Sequence, residues 1–419
     1  MEVWDHLPPP VRTSLGVGVA AASFFGLMLA RRRARSRLKA PVGATMPKPA
    51  GDDAAQEMAA RQVEDRGMVR AANRALRLLI GGVPSGLPHV KLARLGRPLV
   101  RDSEFPETGP AQLEILLKEA ATLPAPWKST PSPGYWICRL DAPELDDDPD
   151  DDLPEEVRPF AEDPVNAHVT TPYPTLVCVG HDSDRMSLLV DLEATGVLGV
   201  SGPDELVAQA QAALAFELAM NREWVDDIQV VTAGSLCGLD DVLRTGCLVY
   251  TPTLDAEMAQ LERDAGACRE ILAAAGAGSA LAARFAGEAE EAWFPTVLVL
   301  PGTLTVGQRE WLRRMVETEP RTAFAAVASD PDAWGECWIE LTGPDTAVLH
   351  PWGLPFTPQR MPDEVLDSWC RLLDRTDWPG PDAPADPGDD WAMWEAEAET
   401  DRPPDTDGDG VEETPGGRD

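Results

Sequence analysis

The sequence predicts an α/β protein tethered to a membrane. It should have a single N-terminal transmembrane helix, a small α+β unit, a mainly parallel α/β sheet domain and a disordered acidic tail. Three observations carry this expectation. From Tyr173 onward, short apolar runs alternate with helical patterns, as in a mainly parallel sheet flanked by helices. Near the N-terminus, an uncharged apolar stretch is followed at once by a block of basic residues. From about Trp378 the chain turns to Pro, Gly, Asp and Glu, a composition too poor in apolar surface to order itself.

The apolar stretch runs from Thr13 to Ala30 without a charge. Eighteen helical residues at about 1.5 Å each reach roughly 27 Å, just enough for a hydrocarbon core of about 30 Å. Its basic flank is Arg31, Arg32, Arg33, Arg35, Arg37 and Lys39, whereas residues 1–12 hold about as many acids as bases. The positive-inside rule then puts residues 1–12 outside and everything after Arg31 in the cytoplasm, with the protein in the cell membrane. A cleavable signal peptide carries its basic residues before the apolar run, not after it.

Residues 31–52 form a basic juxtamembrane linker that ends in Pro, Gly and Ala. Residues 53–145 read as a helix followed by a small α+β unit. A loose apolar stripe predicts a helix over 53–80, stopped by "GGVP". "HVKLARLG" and "GYWICRLD" are strand candidates, with "PAQLEILLKEAA" (110–121) a short helix between them. Residues 146–172 carry a block of acids and prolines and read as an exposed loop.

The α/β domain spans 173–377. A hairpin over 175–193 should turn at His181–Asp184. Buried strands are expected at 196–202, 226–234, 295–302 and 322–329, with a further strand-like run at 247–252. Helices are expected at 204–221, 239–245, 255–286, 306–318 and 362–375, and a closing hairpin at 336–353. Residues 378–419 are the acidic tail.

The formal net charge is −35 over 419 residues. Such a surface repels nucleic-acid phosphates, so a nucleic-acid partner is not expected. The seven cysteines are dispersed, with no pair at metal-ligand or redox spacing. Most stand in apolar runs, as small core residues in a reducing compartment.

One turn raises a sharper question. "VLGVSGPDEL" (197–206) joins a buried strand to a long helix, the place where a P-loop would lie. A P-loop needs G-x-x-x-x-G-K-[ST], with its backbone N–H groups and lysine on phosphate and its hydroxyl on Mg²⁺. Here Gly199, Ser201 and Gly202 are followed by Pro203, Asp204 and Glu205. Pro203 has no N–H, the two acids oppose phosphate, and they suit the helix N-terminus themselves. No lysine lies anywhere between residues 173 and 377. The strand best placed to supply a magnesium carboxylate ends in Pro301 and Gly302. The turn reads as a phosphate-loop position without its chemistry.

No other constellation replaces it. The five histidines are unpaired at helical spacing, and no GxSxG is present. His181 with Asp182 and Asp184 offers metal-ligand types, but a polar turn explains them without a metal. No catalytic residue, cofactor or metal is expected. "HPWGLPF" (350–356) is a conspicuous apolar loop. Its Trp352 and Phe356 either anchor a protein partner or cover the end of the sheet.

The stretch from Pro174 to Gly234 resembles a cytoplasmic region of large actinobacterial membrane proteins that combine transmembrane segments, LysM modules and a bacterial transcriptional activator domain. The hairpin ending "LLVDLEATG", the turn at Gly202, the helix from Asp204 and "WVDD" at 224–227 carry the resemblance. "PHVKLARLG" and "GYWICRL" before it, and "RMPDEVLDSW" after it, extend it over roughly 68–375. The order of parts also resembles a degenerate translocase-type ATPase. This chain has neither the LysM nor the activator domain, so peptidoglycan binding and transcriptional control do not carry over.

The sequence therefore reads as a single-pass membrane protein with a non-enzymatic cytoplasmic domain that acts as a scaffold or regulator with an unidentified protein partner. Two rival readings stay open. One is a nucleotide sensor that does not hydrolyse. The other is an inactive subunit that partners an intact ATPase of a secretion or conjugation apparatus. The orientation is directly testable: a reporter active only outside the membrane, fused after Gly380, should stay silent.

Overall fold

The computed structural model describes residues 51, 53–54, 57–58, 65–82, 86–100, 107–119, 121–145, 171–220, 228–244 and 246–374. The expected transmembrane stretch 13–30, its flank from Arg31 to Lys39 and the tail from 378 lie outside them. Among the described residues, no helix is long and apolar enough to cross a membrane.

Helix α1 (Arg66–Gly82) follows from its pattern: Val69, Ala72, Leu76 and Leu79 recur at three- and four-residue steps and are fully buried. Asp65 caps it, accepting from the Met68 N–H at 2.9 Å. Strands β1 (Val90–Gly96), β2 (Leu99–Val100), β3 (Glu107–Thr108), β4 (Gln112–Leu117), β5 (Lys128–Ser129) and β6 (Tyr135–Arg139) follow. Next come β7 (Leu176–His181), β8 (Ser187–Asp191), the four-residue helix α2 (Leu192–Thr195), β9 (Val197–Ser201) and helix α3 (Asp204–Met220). β10 (Gln229–Ala233), α4 (Leu239–Leu243), β11 (Leu248–Thr251), α5 (Leu254–Ala274), α6 (Ala280–Ala286) and β12 (Thr296–Leu300) continue the chain. It ends with α7 (Val306–Glu317), β13 (Phe324–Ala328), β14 (Cys337–Gly343), β15 (Thr346–His350), β16 (Leu354–Pro358) and α8 (Asp363–Asp374).

The protein is a mixed α/β structure built on one 14-stranded sheet among the described residues, ordered β11-β10-β12-β13-β9-β14-β15-β16-β7-β8-β1-β4-β6-β5. Within 173–377 five of the nine strand pairs are parallel, as expected of that domain, but the strands of the small N-terminal unit join the same sheet and add only antiparallel pairs. Only the block from β11 to β14 is parallel. Every later pair is antiparallel. Short turns join four of the eight antiparallel pairs and leave no length for crossovers there.

Residues 110–121, expected to be helical, instead form β4, held between β1 and β6. Helix-favouring Leu, Glu and Lys are overridden because the alternation of Leu113, Ile115 and Leu117 fills one face. On the other face Glu114 stands opposite Arg94 and pairs with it at 2.7 Å. The long helix expected over 255–286 is two helices, α5 and α6. Gly276 breaks it in the left-handed region at φ 70°, and Ser279 caps α6 by accepting from the Ala282 N–H. The apolar loop at 350–356 also needs correction, since Leu354 to Pro358 are β16, between β15 and β7. Pro355 and Pro358 lack N–H donors, and β16 meets β7 through only two residue pairs.

Two cores lie on opposite faces of the parallel block. On one face α5 and α7 cover Val231, Leu298 and Ala326. On the other, α3 is buried almost all round from Ala210 onward, which fits its mostly apolar sequence there. Strands lie beneath it and α8 lies above, with Phe216 and Trp369 5.7 Å apart. α2 joins β8 to β9, which are five places apart in the sheet. Five flat steps of about 4.8 Å would span about 24 Å, too far for one helical turn and its caps. The sheet therefore curls.

A buried ion pair ties this seam to α6. The Arg284 guanidinium is fully buried and donates to Glu193 Oε2 at 2.7 Å and the Pro172 carbonyl at 3.1 Å. Arg321 adds a bond to the Glu193 carbonyl at 2.9 Å. Removing one partner strands the other charge in the core. Arg284→Met should lower unfolding stability by about 3–5 kcal/mol in chemical denaturation. Arg284→Met with Glu193→Leu should recover a large part of that loss.

Candidate functional site

The turn after β9 is the sequence-predicted site, and its geometry is tight. β9 ends at Ser201 and α3 begins at Asp204, so Gly202 and Pro203 are the whole connection. A P-loop wraps phosphate with several successive N–H groups, and two residues, one of them proline, cannot form that cradle.

Each small residue here has an internal reason. A Cβ on Gly199 would lie 2.5 Å from the Trp334 indole, and one on Gly202 would lie 2.5 Å from the Leu341 carbonyl oxygen. Ser201 Oγ donates to the Ile339 carbonyl at 3.2 Å. Gly199 and Gly202 are glycines because the protein's own groups press on them. Asp204 and Glu205 occupy the first turn of α3, where they complement its dipole.

Trp334 reaches Gly199 through an unusual connection. β13 and β14 flank β9 on either side, joined by residues 329–336. β13 ends level with Gly199, and β14 begins level with Leu198. This stagger makes the return short, and no helix is needed to span it. The loop crosses the β9 face, with the Gly335 N–H donating to the Val197 carbonyl at 2.9 Å. The Trp334 indole N–H donates to the Ala328 carbonyl at 3.0 Å.

The carboxylate sought at the end of β12 is absent there, as the sequence implied, because that strand runs into Pro301. Sequence reading missed Asp330, just after β13, which is 3% exposed. It accepts from the Leu304 N–H at 2.7 Å, Arg309 Nε at 2.9 Å and the Asp332 N–H at 3.0 Å. Burial pushes its pKa up, but the Leu304 N–H and Arg309 outweigh this and hold it below the ordinary carboxylate value. Asp330 is a structural acceptor that pins α7 to the crossover. The legible signal was "SDPDAWGE", too short for a helix between two apolar strands.

The other candidates separate. Asp182 and Asp184 both pair with Arg94, at 2.5 and 3.1 Å. Tyr135 donates to Glu114, and burial together with that bond pushes its pKa up to about 12. His181 is not part of this network; burial lowers its pKa. Among the described residues, no group of three or more His, Cys, Asp or Glu is gathered as a metal would require. Phe356, offered as a partner contact, is 5% exposed and packs in the main core. That reading is corrected: alternation along β16 turns its ring inward. Trp352 is half-buried and lines a groove of about 710 Å³ between α7, the crossover loop and the β1–β4 side of the curled sheet. Near it an aromatic row crosses the sheet, with Trp334 and Trp338 6.3 Å apart and Trp338 stacked on His350 at 4.5 Å.

No known protein family matches the chain, and no curated protein does. Several solved structures are similar in part. EssC (ATPases 2 and 3) from Geobacillus thermodenitrificans matches at 11% identity and TM-score 0.36, covering 48% of this chain and 48% of that one. EccC (ATPases 2 and 3) of Thermomonospora curvata, in complex with a signal sequence peptide, matches at 16% identity and TM-score 0.36, covering 50% and 48%. The pCW3 conjugation coupling protein TcpA matches at 12% identity and TM-score 0.31, covering 72% and 99%. The chain spans about half the length of the first two. None of the three is described as a LysM or transcriptional-activator protein.

The Gly199–Trp334 contact is testable. Gly199→Ala should destabilise the protein by about 1–3 kcal/mol, the usual cost of overpacking a filled site. In a Trp334→Ala background the same substitution should cost almost nothing, because the clashing ring is gone. A double-mutant cycle by urea unfolding measures the coupling.

Proposed function

We propose that this protein is a single-pass membrane protein whose cytoplasmic α/β domain is not an enzyme and serves as a scaffold or regulator of a membrane-associated system. Residues 13–30 would hold it in the membrane with its C-terminal part in the cytoplasm, and its partner would be a protein. The observation that carries the reading is the occupied turn after β9. Trp334 presses on Gly199, the Leu341 carbonyl on Gly202, and Ser201 is spent on the Ile339 carbonyl. No lysine stands between 173 and 377. A phosphate there would meet two nearby carboxylates, each opposing it by on the order of 1 kcal/mol or more at an effective dielectric of about 20.

A second reading is an inactive subunit that pairs with an intact ATPase of a secretion or conjugation apparatus. It is favoured by the position of that turn. β9 lies where the chain's order across the parallel block reverses, which is where open α/β sheets place their ligands. Such a subunit would keep the framework and leave the chemistry to its partner.

The protein in mild detergent should show no Mg²⁺-dependent ATP or GTP hydrolysis and no thermal shift with millimolar nucleotide. Pro203→Lys should not create activity, because no free carboxylate stands at the end of β12. Saturable nucleotide binding, abolished by Gly202→Trp, would sink the non-enzymatic scaffold and promote a nucleotide sensor. Pull-down of the intact protein with mass spectrometry separates the two remaining readings, since recovery of a motor ATPase selects the second.

A further inference from the structure

The groove beside α7 has unusual walls for a chain of net charge −35. The sequence holds five lysines, and two of them, Lys91 at the start of β1 and Lys118 just after β4, line this groove. Neither has an ion-pair partner among the described residues. The α7 wall presents Arg313 between Glu310 and Glu317, so it is mixed in sign, and Glu336 stands on the crossover loop. Apolar surface comes from Trp334, Trp352 and Val316. An occupant that fits this lining carries aromatic side chains for the floor and carboxylates on the edge that faces the lysines.

One segment of the chain itself has this composition. Residues 389–399 read "DDWAMWEAEAE", with five acids, no base, and the pair Trp391 and Trp394. The tail as a whole has the composition expected of disorder, but these eleven residues depart from it, because two tryptophans bring a large apolar area that favours burial. At helical spacing, Trp391 and Trp394 share a face with Ala398. Asp389 and Asp390 suit the first turn, and Pro403 closes the stretch. The segment can reach the groove. Fourteen residues, 375–388, separate it from the end of α8, and extended they span about 48 Å. A body of about 270 residues has a radius of gyration of about 18 Å. Tethering also supplies an effective concentration in the millimolar range.

We infer that Asp389–Glu399 of this same chain occupies the groove beside α7, with Trp391 and Trp394 against Trp334 and Trp352 and its carboxylates toward Lys91 and Lys118. The segment then acts as a built-in competitor for any protein that uses this groove. The inference goes beyond the proposed function and stands or falls separately, because its test involves neither nucleotide nor partner.

The small number of lysines makes the test clean. The full chain in mild detergent is treated with a zero-length carbodiimide, and linked peptides are mapped by mass spectrometry. Links should join Lys91 or Lys118 to carboxylates of 389–399, with none at Lys128, which is exposed on β5. Trp391→Ala with Trp394→Ala should remove at least four-fifths of these links, although it leaves every carboxylate in place. Isotope-mixed protein should give links within one copy. Equal linking at Lys128, links that survive the double tryptophan substitution, links between copies, or no links at Lys91 and Lys118 would each overturn the inference.

Discussion

The stagger of β13 and β14 along β9 is the constraint on which the site depends. Because one strand ends level with Gly199 and the other begins level with Leu198, eight residues suffice to pass from one side of β9 to the other. Parallel neighbours ordinarily need a dozen residues or more and a helix between them. Here the short loop lies flat on β9 and lays Trp334 over Gly199. That contact closes the β9 face, fixes the crossover beside α7 and leaves an open groove along its rim. The filled face of β9 and the groove beside α7 have the same geometric origin.

The polar network at the seam works with this constraint. α2 is one turn long and must join two strands five places apart in the sheet. The curl this imposes places Glu193 and the Asp191 carboxylate in the interior. Each is matched. Asp191 accepts from Thr175 at 2.8 Å and meets His89 at 3.2 Å, and Glu193 takes the buried Arg284. A buried ion pair adds little net stability, but it penalises arrangements that leave either charge alone. Its effect is to specify the curl, and through the curl the proximity of β1 and β4 to α7.

Much of the architecture was legible. Buried strands such as β12 and β13 are continuous apolar runs of the right length, and α7 announces itself with Thr305 and Gln308, which form a reciprocal capping box. The missing lysine, the proline and the two acids at the turn after β9 were also plain. What misled was local preference in short segments. β4 has helix-favouring residues, and only its neighbours β1 and β6 make it a strand. Phe356 lies in a proline-rich stretch that reads as loop, and only its pairing with Ala347 turns it inward.

The sequence by itself determined the period of each long element and the absence of phosphate-binding groups, because side-chain identity and spacing decide those directly. Tertiary structure alone decided why Gly199 and Gly202 are glycines, where Asp330 sends its charge and which lysines face α7. Trp334 and Gly199 are 135 positions apart in the chain, and their contact follows from strand order and stagger, which no local pattern encodes. Strand order is a property of the whole sheet, since each strand's place depends on burying its neighbours' faces as well as its own.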